Sequence, residues 1–324
     1  MHTRTLGRSG LRVSALCLGT NTFGWTADEA ESHRILDAAT DAGITFIDTA
    51  DVYSRWAPGH VGGESEMVIG RWLAGRDRSR IVLATKVRAP MGADPAANDE
   101  GLSRIHIVRA CEDSLRRLHT DHIDLYQAHW DDDLTPLDET LEAFTALIQA
   151  GKVRYIGVSN TASWRLLKAR WISSVNHLAP YISLQPHYSL VHRVEYEREM
   201  MAACTDQGIG VIPYSPLAVG FLTGKYTRDN RTPDTARGND SKLVQRLLSS
   251  DQAFAVLDET RTIAEARRVP VAHVALAWTM TRPNITAPIV GARTVAQLQE
   301  VVGAVDLALT ADEIARLTTV SEEM

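Results

Sequence analysis

The sequence predicts an α/β fold whose parallel strands close into a (β/α)8 TIM-type barrel. Short, β-rich apolar runs alternate with longer helical patterns, which is the sign of a parallel sheet. The runs number about eight, the count a closed barrel needs. The chain has 324 residues, 44% of them hydrophobic, and α/β barrels run from roughly 200 to over 400 residues as one domain. No linker, repeat or low-complexity tract interrupts the pattern, so one domain over residues 1–324 is expected.

Residues 3 to 14 read as an N-terminal hairpin with Arg8, Ser9 and Gly10 at its turn. The strand runs are Ala15–Gly19, Thr45–Asp48, Ile81–Lys86, Ile123–His129, Val153–Ser159, Ile182–Gln185, Gly210–Tyr214 and Ile285–Val290. Helix ends are legible between them. Thr26-Ala-Asp-Glu29 has the form of a capping box, in which the threonine oxygen takes a free backbone N–H and the glutamate reaches back; that helix should end at Gly43. Thr135 should cap a second helix, with Pro136 at its first position and Gly151 past its end. Thr310-Ala-Asp-Glu313 repeats the box at the start of one of the extra C-terminal helices. Two connections are long, residues 87–102 and 226–250, and both follow strands. They therefore belong to the C-terminal face, where barrel loops form binding sites.

Composition narrows the function. A net charge of −6 gives no basic footprint for nucleic acid. The three cysteines, Cys17, Cys111 and Cys204, are far apart and in apolar surroundings, as buried thiols in a reducing compartment would be. The N-terminal MHTRTLGRSG has no apolar core of a signal peptide. The densest apolar run, Val269 to Met280, is broken by Pro270 and His273 and is too short to span a bilayer. The expectation is a soluble, cytoplasmic protein with neither nucleic-acid nor membrane partners. Oligomeric state is not legible in a single sequence.

The strand ends carry the chemistry. Strand two ends in Asp48 with Tyr53 just beyond, strand three in Lys86, strand four in His129, and strand five in Ser159 and Asn160. Strand six ends in Gln185, strand seven in Tyr214 and Ser215, and strand eight runs into Gly291 and Arg293. A barrel gathers all of these at one rim. A tyrosine can act as general acid toward a carbonyl oxygen, and an ammonium beside it lowers a pKa that is ordinarily about 10. A carboxylate keeps the ammonium charged and oriented, and a histidine orients the substrate oxygen. Asp48, Tyr53, Lys86 and His129 supply those four roles. With no nucleophile and no metal cage, the set suits reduction by an external hydride donor. Alone, Asp48 and Lys86 would read as a plain buried ion pair. Asp131, Asp132 and Asp133 follow His129 without a second histidine or cysteine at ligand spacing, so they read as a solvated loop and no metal is expected. Trp25, Trp56 and Trp130 fall in rim loops and are candidates for the substrate pocket.

Over nearly its whole length the chain resembles the aldo-keto reductases. The resemblance rests on LGTNTFG, IDTADVY, GESEMVIG, ATK, DHIDLYQAHW, GKVRYIGVSN, SLQPHYSL, YSPLAVGFLTGKY and PIVGARTVAQLQE. It implies that Asp48, Tyr53, Lys86 and His129 are the catalytic tetrad with Tyr53 as acid. It implies that Ser159, Asn160 and Gln185 hold the nicotinamide amide and that Tyr214 stacks on its ring. Ser215, Leu217, Gly220 and Lys225 would line the pyrophosphate, and Gly291, Arg293, Gln297 and Glu300 the adenosine 2′-phosphate end. The cofactor is then NADPH/NADP+ and the partner a small-molecule carbonyl. Arg293 supports the choice of NADPH, since a guanidinium near a helix opening at Thr294 can fork onto a phosphate. Three positions depart from the family's usual residues: Ser54, Val219 and Val301. Weaker alternatives are a carboxylate-based hydrolase, for which only Asp48 stands out, a nucleotide-binding regulatory or redox-sensing protein, and a reductase of nucleotide-linked keto-sugars.

Overall fold

The computed structural model describes residues 1–92, 94–231 and 241–324. The hairpin is formed by strands β1 (Thr3–Thr5) and β2 (Arg12–Ser14), paired antiparallel. The barrel strands are β3 (Cys17–Gly19), β4 (Phe46–Asp48), β5 (Val82–Val87), β6 (Ile123–Ala128), β7 (Val153–Ser159), β8 (Tyr181–Gln185), β9 (Gly210–Val211) and β10 (Ile289–Gly291). They form one parallel sheet in the order β10-β3-β4-β5-β6-β7-β8-β9. The two ends of that order meet through the Val211–Ile285 bridge. There the Thr286 N–H donates to Val211 O at 2.7 Å and the Ile289 N–H to Pro213 O at 2.9 Å. The barrel is thereby closed.

Helices α1 (Glu29–Asp41), α2 (Glu64–Leu73), α3 (Arg104–Arg117), α4 (Leu137–Gln149), α5 (Ser163–Asn176) and α6 (Met201–Gln207) follow strands β3 to β8. After β9 come α7 (Lys242–Leu248), α8 (Asp251–Arg267) and α9 (Val271–Thr281), and after β10 come α10 (Val295–Val302) and α11 (Ala311–Val320). The long 226–250 connection thus contains a helix at its end, while its residues 232–240 lie outside the described residues. Strands seven and eight are shorter than their apolar runs. Pro213 and Pro288 explain this, because proline gives a ladder no N–H, although both carbonyls still accept from neighbouring strands.

Two helix starts differ from expectation. Asp28, not Thr26, caps α1 by accepting from the Glu31 N–H at 2.8 Å. Residues up to Ala27 are held in a tight turn by the Gly24–Ala27 and Ala27–Thr22 backbone bonds, so helix can begin only beyond it, and Glu29 is spent on Arg71. Pro136 rather than Thr135 occupies the cap of α4, and the Thr135 hydroxyl donates to Asp132 instead. The Thr310–Glu313 capping box on α11 is present as expected, and all three cysteines are free and buried.

The barrel interior is layered. Leu6, Leu11 and Val13 of the hairpin share one cluster with Cys17, Phe46, Ala84, Leu125 and Ile212, so the hairpin plugs the end opposite the rim. Side chains two residues further along a strand point to the same face. The layer above Phe46, Ala84 and Leu125 is therefore Asp48, Lys86 and Gln127, all fully or almost fully buried. Polar groups at that depth need mutual partners, and the next section shows that they have them.

Candidate active site

Lys86, the penultimate residue of β5, has no exposed surface. Its ammonium has three N–H donors, and three acceptors surround it: Asp48 Oδ2 at 2.6 Å, the Thr49 carbonyl at 2.8 Å and Tyr53 Oη at 2.8 Å. The other Asp48 oxygen, Oδ1, accepts from Gln127 Nε2 at 3.1 Å and Gln185 Nε2 at 2.9 Å. Burial works against the ammonium, but the Asp48 carboxylate and the Tyr53 phenol outweigh it and raise the Lys86 pKa. For Tyr53 the balance runs the other way. Burial pushes the phenol up, Lys86 pulls it down, and the result is about 12. The expectation that the ammonium lowers the tyrosine below its ordinary value is therefore corrected: desolvation wins, and the phenol keeps its proton at neutral pH. His129, beyond the end of β6, lies with its ring centre 5.9 Å from that of Tyr53. Burial, and then the charge of Lys86, lowers its pKa well below the usual imidazole value, so it is neutral.

A cavity of about 730 Å³ opens above this layer, within the roughly 300–1,000 Å³ range of small-molecule sites. Asp48, Tyr53 and His129 line it, with Trp130 beside them. Every residue expected around a nucleotide also lines it: Ser159, Asn160, Gln185, Tyr214, Ser215, Leu217, Gly220, Lys225, Gly291, Arg293, Gln297 and Glu300. Lys86 lies beneath the floor and does not line it. Trp25 and Trp56 do not line it either. They pack edge to face at 5.8 Å, and 39% and 49% of their surfaces remain exposed. The reason is that their loops bind each other, the Ser54 hydroxyl donating to Phe23 O at 2.6 Å. Trp56 touches the site only through Tyr53, at 6.1 Å between rings.

Several side chains at the rim are engaged with each other. Asn160 Nδ2 donates to His129 O and Asn160 Oδ1 accepts from Tyr214 Oη, both at 3.0 Å. Gln185 spends its amide N–H on Asp48. Gln297 Oε1 accepts the Arg293 N–H at 3.0 Å, so it turns back on the chain entering α10. Glu31 of α1 accepts the Val295 N–H at 3.0 Å and thus holds part of the α10 N-terminus, a carboxylate that the sequence around Arg293 does not announce.

The departures have structural consequences. Ser54 sits at φ 74°, the left-handed conformation that glycine takes without cost, and its bond to Phe23 offsets part of the strain. Val219 lies at φ 56° between Ala218 at 49° and Gly220 at 92°. A β-branched residue there is an outlier that costs about 1–2 kcal/mol. Val301 is a buried wall of the cavity.

Residues overlooked in the sequence are Gln127, Asn21 and Thr22. The first holds Asp48, and the other two line the cavity. Gln127 was findable, since it stands two residues before His129 on one strand and so faces inward. Of the three aspartates after His129, Asp133 is solvated as expected, but Asp132 is not. Asp132 is buried, not solvated, and accepts from the Leu102 N–H, the Leu134 N–H and the Thr135 hydroxyl. It ties the 87–102 connection to the loop after β6. Asp131 accepts from Thr161 at 2.7 Å. Among the described residues, no helix is long and apolar enough to cross a membrane.

Comparison with known proteins agrees with this geometry. Residues 15–322 match the family model described as the aldo/keto reductase family. The chain is 44% identical to the uncharacterized oxidoreductase YrpG of Bacillus subtilis (strain 168), over 95% of this chain and 92% of that one. It is 34% identical to the versiconal hemiacetal acetate reductase of Aspergillus parasiticus, over 97% and 95% of the two chains. It is 35% identical to a probable voltage-gated potassium channel subunit beta of Arabidopsis thaliana, over 95% and 92%.

Proposed function

The chain belongs to the aldo/keto reductase family, whose members include oxidoreductases that reduce carbonyls, and from that premise we propose that it is an NADPH-dependent reductase of an aldehyde or ketone with Tyr53 as general acid. The observation that carries the proposal is the Lys86 ammonium saturated by Asp48, Thr49 and Tyr53 directly under the floor of a cavity. A merely structural ion pair has no need of a phenol aimed at a cavity wall.

The cavity fits a nicotinamide nucleotide. Tyr53 and His129 line the cavity, and so do the cations Lys225 and Arg293. Tyr214 offers an aromatic face, and the cations offer pyrophosphate and 2′-phosphate partners. Such a nucleotide, when bound, supplies a hydride. Tyr53 Oη gives its proton to the carbonyl oxygen, and Lys86 stabilises the phenolate as it forms. Neutral His129 orients that oxygen by a hydrogen bond, and Trp130 walls the substrate side. On this reading the chain works as one domain, in the cytoplasm, on a diffusible carbonyl compound, with neither nucleic acid nor a membrane as partner. Single-turnover mixing of the NADPH-bound protein with a panel of aldehydes and ketones tests it. Carbonyl-dependent loss of the reduced nicotinamide signal is expected. Tight binding of the nucleotide without hydride transfer to any member would favour a regulatory protein instead.

A further inference from the structure

A helix that packs on the outside of a barrel should be apolar on its inner stripe and polar on its outer one. Helix α5 is apolar on both. Leu166, Ala169 and Ile172 face inward and are buried. On the outer face, Trp164 is 60% exposed, Leu167 39%, Trp171 64% and Val175 56%. Their spacing of three, four and four residues puts them in one row along the helix. The outward positions between them are Lys168 and Ser174.

We propose that this face of α5 is the contact between two copies of the chain, packed antiparallel across a two-fold axis. The row presents on the order of 400 Å² of apolar side chain, since a tryptophan alone carries about 150–250 Å². A standard interface needs about 800 Å² from each partner, so the row supplies the apolar centre and the flanking polar residues supply the rim. The largest apolar patch on a typical protein is of this order, about 300–600 Å², and is often functional. A two-fold contact requires a surface complementary to itself, and this sequence has that property. With the axis between residues 169 and 170, Trp164 meets Val175 of the other copy, large against small. The same axis sets Lys168 against the indole face of Trp171, twice by symmetry. That cation–π contact accommodates the one charge in the row without an acidic partner. Nothing in the row belongs to the cavity, so assembly and turnover are separable.

Sedimentation velocity of the full chain at micromolar concentration tests the proposal. The wild-type protein is expected at twice the chain mass. Trp164→Glu with Trp171→Glu should give a monomer whose far-ultraviolet circular dichroism and NADPH titration are unchanged. Lys168→Ala, too mild to affect folding, should weaken the dimer by about tenfold or more through two lost cation–π contacts. A wild-type chain that sediments as a monomer, or a dimer that survives the double substitution, overturns the proposal.

Discussion

Replacing Tyr53 with phenylalanine removes one oxygen and leaves the ring in place. Among the described residues that oxygen makes a single side-chain bond, from Lys86 at 2.8 Å, so the change leaves the Asp48 and Thr49 bonds to the ammonium intact. Losing a hydrogen bond to a charged donor costs about 1.5–3 kcal/mol of stability, which a barrel of this size survives. The catalytic loss is larger. A general acid typically contributes about 10²- to 10⁴-fold in rate, or about 3–5 kcal/mol of barrier. The pH dependence separates this role from a packing role. With the phenol at about 12, only on the order of one molecule in 10⁵ is ionised at neutral pH. Reduction needs the protonated phenol and should be flat with pH from neutral to well into the alkaline range. Alcohol oxidation needs the phenolate and should climb about tenfold per pH unit over that range. Tyr53→Phe should abolish both, keep NADPH affinity, and erase the alkaline climb. Steady-state rates in both directions across pH, with nucleotide binding followed by fluorescence, provide the assay. A folded variant within about tenfold of wild-type turnover would refute the assignment, whereas a wild-type oxidation rate already level near neutral pH would refute the raised pKa and not the role.

Three further outcomes are expected. Lys86→Met leaves the buried Asp48 carboxylate with only the two glutamine amides, so it should lose about 3–5 kcal/mol of stability as well as activity; an unchanged thermal midpoint would show that the pair contributes nothing. Arg293→Ala should weaken NADPH binding about ten- to a hundredfold and NADH binding hardly at all, from the loss of a charge-assisted bond of about 1.5–3 kcal/mol; fluorescence titration of both nucleotides decides it, and equal losses would mean Arg293 does not read the 2′-phosphate. Asp132→Ala removes the buried acceptor of three donors, of which the Leu102 N–H is itself buried, and should lower the urea midpoint with the slope preserved; a midpoint unmoved would return Asp132 to the solvated loop that the sequence suggested.

The barrel was legible because strand runs and helical runs alternate with different periods, and burial enforces those periods at every element. The four central side chains were legible because strand ends of a barrel share a rim. What escaped has two physical origins. Cap residues are decided by tertiary ties: Thr26 has the local form of a cap, but the turn through Ala27 moves the helix start to Asp28. Polar residues far apart in sequence meet only once the chain is folded. Glu31 reaches Val295 across 264 positions and Asp132 reaches Leu102 across 30, and no local window contains either pair. Trp25 and Trp56 were placed correctly at the rim, yet their packing on each other turns them from the cavity.

If Tyr53 is the acid, as proposed, its raised pKa bears on what Lys86 does. On the proposed function the resting phenol is protonated at neutral pH even at its ordinary value of about 10, so Lys86 has no resting phenolate to stabilise. Burial makes that neutral phenol harder still to ionise. The ammonium, itself wholly buried, then meets a neutral oxygen at rest and a developing anion during proton transfer, at 2.8 Å. Its attraction grows only as the proton leaves, which is the condition for lowering a barrier. The other two Lys86 contacts make this possible. Asp48 and Thr49 take the remaining N–H donors, so the ammonium cannot turn away and needs no reorganisation when the charge appears. Gln127 and Gln185 do the same for Asp48 in turn. The buried layer is thus a set of dipoles and charges fixed before the reaction, each held by the next, with the phenol proton as its one movable part.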